Sequence, residues 1–232
     1  EQGRNGWTHQ RPEIENYIGA QMRNGNVYLL YPSDANMIQA AYEWALGTFN
    51  KAVAIFGSKS PLPVRTSLDQ ARAAVREGAA VIAEAGPDDG PQVVLAVAGD
   101  MILLPALEAA DRLAAAGCRV RVVAVVSPRR LYRPVDVAWA SVAEPDDAFM
   151  GDEAFEALFG AEVLLAVTGG ASGALEPVLL RSRAPRRDLL AWRRGETTAS
   201  PAEVMAYNGL TGEGIAARAQ ALLDDAPGGG VP

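Results

Sequence analysis

The chain has 232 residues, of which 49% are hydrophobic and 21% charged, with a net charge of −7, one histidine and one cysteine. That balance describes one large or two small globular domains and argues against a disordered chain. The acidic charge, with no long Lys/Arg run, argues against nucleic acid or an anionic membrane as the main partner, and a single cysteine excludes an internal disulfide.

Residues 1–25 are polar and loop-like, with a short apolar rhythm at Ile14, Tyr17 and Ile18 that predicts a helical turn or two. Asn26–Tyr31 reads as a buried strand stopped by Pro32, after which Ser33 or Asp34 can cap a helix. Met37, Ile38, Ala41, Trp44 and Ala45 fall on one face of that helix. Ala52–Phe56 is the next strand, with Gly57-Ser58-Lys59-Ser60-Pro61 as a loop at its carboxyl end. Strand, helix and strand in succession favour parallel pairing with a right-handed crossover.

The composition then changes. Residues 61–67 carry prolines, Leu68–Ala83 is alanine-rich and reads as helix, and residues 86–91 form a turn cluster. A domain boundary is expected between about 60 and 91. Gln92–Ala98, Arg119–Val126 and Glu162–Thr168 are near-continuous apolar strands, and Asp188–Trp192 is a shorter one. Between the first two lies an amphipathic helix with Leu103, Leu104, Leu107, Ala110 and Leu113 on one side, stopped by Gly117. Helices are also expected from the Gly169–Gly173 turn through Leu180, over Pro201–Tyr207 and over Gly214–Leu223, before a Gly-Pro tail. The fold class is α/β, with open, mostly parallel sheets flanked by helices.

Few residues invite chemistry. His9 sits in a polar, glycine-containing loop and is either a near-neutral proton carrier or an ordinary exposed side chain. Lys59 follows a strand end, where open α/β sheets hold their ligands, and suits a phosphate or carboxylate, although no Walker spacing surrounds it. Gly169–Gly173 lacks a dinucleotide fingerprint and reads as a tight turn. Arg129, Arg130 and Arg133 read as a solvated or partner-facing surface, and Cys118 as a buried small hydrophobe. No apolar run reaches the roughly 18 residues of a spanning helix, and no signal-peptide pattern opens the chain. Without an initiator methionine and starting in a loop, the sequence is expected to be a fragment, or one piece of a split or processed protein, in a cytoplasmic setting.

Residues 5–12, Asn5-Gly6-Trp7-Thr8-His9-Gln10-Arg11-Pro12, resemble the Asn-Gly-Phe-Ser-His-Gln-Asp-Pro signature of phosphoketolases. The likeness continues in order. Tyr31-Pro32-Ser33-Asp34-Ala35-Asn36 is similar to their Pro-Pro-Asp-Ala-Asn segment, and Gly57-Ser58-Lys59-Ser60-Pro61 to a Gly-Lys-Gln-Pro loop. Glu196-Thr197-Thr198 with Pro201 is similar to a Gly-Thr-Thr-Thr-Pro region.

The resemblance implies a transketolase-like thiamine diphosphate enzyme. Residues 1–62 would be the second half of a pyrimidine-binding domain, 63–90 a linker, 91–226 a transketolase C-terminal-like domain and 227–232 a tail. His9 would be the catalytic proton carrier, with Gln2, Arg4, Asn5 and Lys59 meeting substrate or phosphate. Arg4 stands where the family carries a second histidine; it can bind phosphate but shuttles protons poorly. Ketol transfer to an aldehyde is therefore an alternative to acetyl-phosphate formation, and a non-catalytic interaction subunit with the same fold is a third reading. Thiamine diphosphate and magnesium would be bound mainly outside this chain, by an upstream domain or partner subunit, in a dimer of complete units. A sugar phosphate is the implied substrate.

Overall fold

Three apolar strands organise the molecule: β4 (Gln92–Ala98), β5 (Arg119–Val125) and β6 (Val163–Thr168). They are parallel, with β4 in the middle, and their side chains are almost all buried on both faces. That burial is why they read as unbroken Val/Leu/Ala runs rather than as alternating ones. The computed structural model describes residues 13–24, 26–58, 61, 63–137, 149–193 and 199–225.

β7 (Arg186–Leu190) extends this sheet in parallel beside β6, and β3 (Ala79–Ala85) closes its other edge antiparallel to β5, giving the order β3-β5-β4-β6-β7. β1 (Val27–Leu30) and β2 (Ala52–Ile55) form a separate parallel pair around α2 (Ala35–Leu46). The two sheets touch where the Tyr31 N–H donates to the Val126 carbonyl at 2.8 Å.

Helices cover both faces of the larger sheet. On one face α4 (Asp100–Ala115) and α8 (Gly212–Asp224) bury Ile102, Leu103, Ala106, Leu113, Ile215 and Leu222 against the strands. On the other, α1 (Glu13–Asn24) contributes Met22, α5 (Asp152–Phe159) Phe155 and Phe159, and α6 (Glu176–Arg181) Val178. α3 (Leu68–Glu77) packs Ala71, Ala74 and Val75 with Met37 and Ala41 of α2 and Leu30 of β1, so one core cluster spans both sheets. α7 (Pro201–Tyr207) begins at a capping box formed by Ser200 and Glu203. The expected α/β architecture of mostly parallel sheets flanked by helices is present.

Several expectations are corrected. The alanine-rich stretch 68–83 is not one helix: α3 ends at Glu77, Gly78 takes a left-handed conformation at φ 100°, and the chain continues as β3. Alanine permits helix but does not enforce it, and pairing with β5 decides the outcome. Residues 63–90, read as a linker, thus hold a helix and a sheet strand. The last strand lies two residues earlier than expected, at 186–190. α1 runs for 12 residues, where a turn or two was expected. α5 was not foreseen; its eight residues place Phe155 and Phe159 one turn apart, with ring centroids 4.7 Å apart.

Gly78 carries a testable consequence. A Cβ there would lie 2.9 Å from the Arg130 Cβ and 3.1 Å from the Ser127 carbonyl oxygen, on a backbone that L side chains disfavour. Gly78→Ala is expected to cost about 1–3 kcal/mol, lowering Tm by roughly 3–10 °C in a thermal melt. An unchanged Tm would show that the helix-to-strand switch does not need this conformation.

Candidate functional site

The carboxyl ends of β1, β2, β4 and β6 converge on one crevice, the place where open α/β sheets usually bind ligands. Its cavity of about 220 Å³ is lined by Glu15, Tyr31, Phe56, Ser58, Asp100 and Thr168, together with Gly57, Gly99, Gly169 and Gly170. Each wall has a local cause. β1 delivers Tyr31 just before Pro32 ends the strand; its ring stacks on Phe56 at 5.3 Å and 14°. Gly99, at φ 98°, turns β4 sharply into α4 and sets Asp100 in the first helical turn, where the helix dipole favours a carboxylate.

Two side-chain carboxylates organise the crevice. Asp100 Oδ2 accepts from the Ser58 N–H at 2.6 Å and so holds the end of β2 against the start of α4. Glu15, from α1, accepts from the Ala171 N–H in the turn after β6. Burial, helped by the Glu15 charge, pushes the Tyr31 phenol far above its ordinary range, so it stays protonated. Its hydroxyl is buried without a hydrogen-bond partner among the described residues, so it can donate to a polar group entering the crevice.

Asp34 stiffens this end of the molecule. The carboxylate is 1% exposed and accepts from the N–H groups of Met37 at 2.9 Å, Arg65 at 2.8 Å and Thr66 at 2.8 Å, and from the Thr66 hydroxyl. Burial alone would raise its pKa, but those donors outweigh it and hold the pKa below the usual carboxylate value.

Gln2, Arg4, Asn5, His9 and Lys59, the residues singled out from sequence, lie outside the described residues. Glu15 and Ser58, the described residues that follow or precede those segments, line the crevice; Ser58 belongs to the loop read from sequence as a ligand site, whereas Glu15 was not anticipated. Glu15 gives little sequence signal because an acidic residue in a first helical turn is ordinary. Of the arginines after β5, Arg129 and Arg130 are corrected and Arg133 is exposed as expected. Arg129 is fully buried, donates to the Met22 carbonyl and lies over the rings of Tyr28 and Phe149 at 5.3 and 5.8 Å. Arg130 lies over Trp44 at 5.6 Å, while Arg133 is exposed and pairs with Asp136 at 2.9 Å. Aromatic faces and a carbonyl take Arg129 out of solvent. Cys118 is buried as expected, and burial raises its thiol.

A larger cavity of about 690 Å³ lies between α3, β3 and α5, lined largely by alanines with Val81, Ile82, Phe149 and Leu158. Arg65, Thr66, Gln70, Arg76 and Glu77 also line it, but no carboxyl end of β1, β2, β4 or β6 reaches it, so the chemistry is assigned to the smaller crevice. Among the described residues no cluster of potential metal ligands occurs, and no helix is long and apolar enough to cross a membrane.

Residues 59–211 match the family model described as the XFP C-terminal domain. A probable phosphoketolase of Bifidobacterium animalis subsp. lactis is 31% identical over 96% of this chain and 27% of its own length. The chain spans about a quarter of the length of such curated relatives. Among solved structures, a transketolase from Pichia stipitis superposes with a TM-score of 0.68 at 19% identity, covering 95% of this chain and 28% of its own. A split-gene transketolase, described as an inactive beta4 tetramer, gives 0.59 at 20% identity over 88% of this chain and 60% of its own. At these identities the structural likeness shows the fold.

The Asp34 network makes a pH prediction. A depressed folded pKa adds stability that is present above the unfolded value, about 3.9, and lost as pH falls through the folded value. Asp34→Asn is expected to lose about 1–3 kcal/mol at pH 7 in denaturant unfolding, with the gap to wild type closing below about pH 4. A gap that does not narrow as pH falls below about 4 would contradict the charge-based account.

Proposed function

Because the chain belongs to the XFP C-terminal domain family, we propose that it forms the C-terminal part of a thiamine diphosphate-dependent phosphoketolase-like enzyme. The complete enzyme cleaves a ketose phosphate beside the ketone and passes the two-carbon unit to phosphate. The observation that carries this reading at the level of the site is that Glu15 and Ser58 line the same crevice. The segments bearing His9 and Lys59 adjoin those two residues in sequence.

In this reading His9 holds and moves a proton near neutral pH, while Lys59 and Arg4 attract the substrate phosphate, with Gln2 and Asn5 as hydrogen-bonding partners. The Tyr31 hydroxyl, kept protonated by burial, serves as a fixed donor inside the crevice. The described walls do not fit a diphosphate: the Ala171 and Ser58 N–H groups already serve Glu15 and Asp100, and both carboxylates would repel it. Thiamine diphosphate and magnesium are therefore assigned to an upstream domain or a partner subunit, in a dimer of complete units. Arg4 in place of a second histidine favours one alternative, ketol transfer to an aldehyde acceptor.

The deciding assay uses the complete assembly with thiamine diphosphate, magnesium, xylulose 5-phosphate and inorganic phosphate. Acetyl phosphate is the expected product; a new ketose formed only with added aldose would move the assignment to a transferase. His9→Ala should lower kcat by about 100-fold, and unchanged turnover would instead support a non-catalytic subunit. In calorimetry residues 1–232 alone are expected to bind no thiamine diphosphate at micromolar concentrations, and binding there would overturn the division of labour.

A further inference from the structure

The proposed function makes no use of the larger cavity between α3, β3 and α5, and the crevice shares none of its lining residues. At about 690 Å³ it falls within the roughly 300–1,000 Å³ of small-molecule sites. One wall is the face of α3 that carries Gln70, Ala73, Ala74 and Glu77, about 10 Å of helix. The opposite wall is Ala154, Ala157 and Leu158 of α5. Between them Val81 of the edge strand β3 lines the space and remains 40% exposed, so apolar surface is left for a guest to cover.

The free polar groups gather at the N-terminal end of α3. Asp34 Oδ2 accepts from the Arg65 and Thr66 N–H groups, each at 2.8 Å, which fixes the backbone from which the Arg65 side chain springs. Its guanidinium has no carboxylate partner among the described residues. Gln70 Oε1 accepts from the Ser67 N–H at 2.9 Å, which holds the amide in place and leaves its NH2 group to donate. The α3 dipole also favours negative charge at this end. At the other end Arg76 is already paired with Glu77 at 3.4 Å, the one carboxylate in the described lining.

We propose that this cavity is a second ligand site, taking a small amphipathic anion. Its charged head meets Arg65 and Gln70, and its apolar body lies along α3 against Val81, Ile82, Phe149 and Leu158. A wholly polar anion would leave those apolar walls wet, and a neutral hydrocarbon would leave the guanidinium fork without an acceptor. The pairing of the two features selects a guest that has both.

The test is calorimetry on the complete assembly with octanoate and, as the neutral comparison, octanol. Octanoate is expected to saturate one site with a Kd of at most about 1 mM and to bind more tightly than octanol. Arg65→Gln keeps the backbone N–H that serves Asp34 and is expected to weaken octanoate by about 3- to 10-fold while leaving octanol unchanged. Ala154→Leu with Ala157→Leu, both exposed on α5, fills the space and is expected to weaken both ligands by more than about 10-fold. Absence of saturable binding to the wild-type assembly would overturn the proposal, as would octanoate affinity unchanged by Arg65→Gln. Equal binding by the double leucine variant would place the guest elsewhere and overturn it too. Should that variant fail to fold, the Arg65→Gln comparison decides alone. Binding needs no turnover, so the outcome is independent of the proposed reaction.

Discussion

A single fully buried guanidinium ties the separate parts of this molecule together. Arg129 emerges from the end of β5, donates to the last turn of α1, and sits over Tyr28 of β1 and over Phe149 ahead of α5. Burial lowers its pKa to about 10, still high enough to keep the charge at neutral pH. Burying a charge is costly, and among the described residues a carbonyl and two aromatic faces meet it. Removing the guanidinium would leave the Met22 carbonyl without its donor and a gap between the two sheets. The small β1–β2 sheet, too short to be stable alone, thus depends on the larger sheet for its placement.

The crevice follows the same logic. Open α/β sheets leave backbone N–H groups at strand ends and helix starts that commonly receive ligand anions. Here Asp100 occupies one such N–H, at Ser58, and Glu15 another, at Ala171. The chain uses the anion-binding capacity of its strand ends to hold itself together. What remains for a guest is a small space with a neutral phenol and two fixed carboxylates.

Much of the fold was legible in the sequence because its central strands are buried on both faces and carry little but Val, Leu and Ala. A cap at Ser33 or Asp34, which the structure gives to Asp34, and the start of α7 at Pro201 were also legible, since capping chemistry is local. β3 was not, because Ala79-Ala80-Val81-Ile82 follows an alanine helix without a polar break, and only Gly78 marks the change. The site was legible in a different way. His9 and Lys59 stand out by residue type and loop context, whereas Glu15 and Arg129 make hydrogen bonds to partners more than 100 residues away in the chain. No local pattern encodes such pairings.

The position of β3 also governs how the chain assembles. Its partner β5 begins 34 residues after it ends, beyond β4 and α4, so during synthesis β3 waits unpaired while that stretch is made. At about 5–20 residues per second the delay lasts a few seconds, long compared with hairpin formation. A flat apolar strand exposed for that time would recruit copies of itself. The irregular register between Val81 and Ala83 and the outward Glu84, held by Arg121 at 2.9 Å once folded, interrupt that template. Glu84 carries its charge before pairing, and the irregular register breaks the template of the finished edge strand.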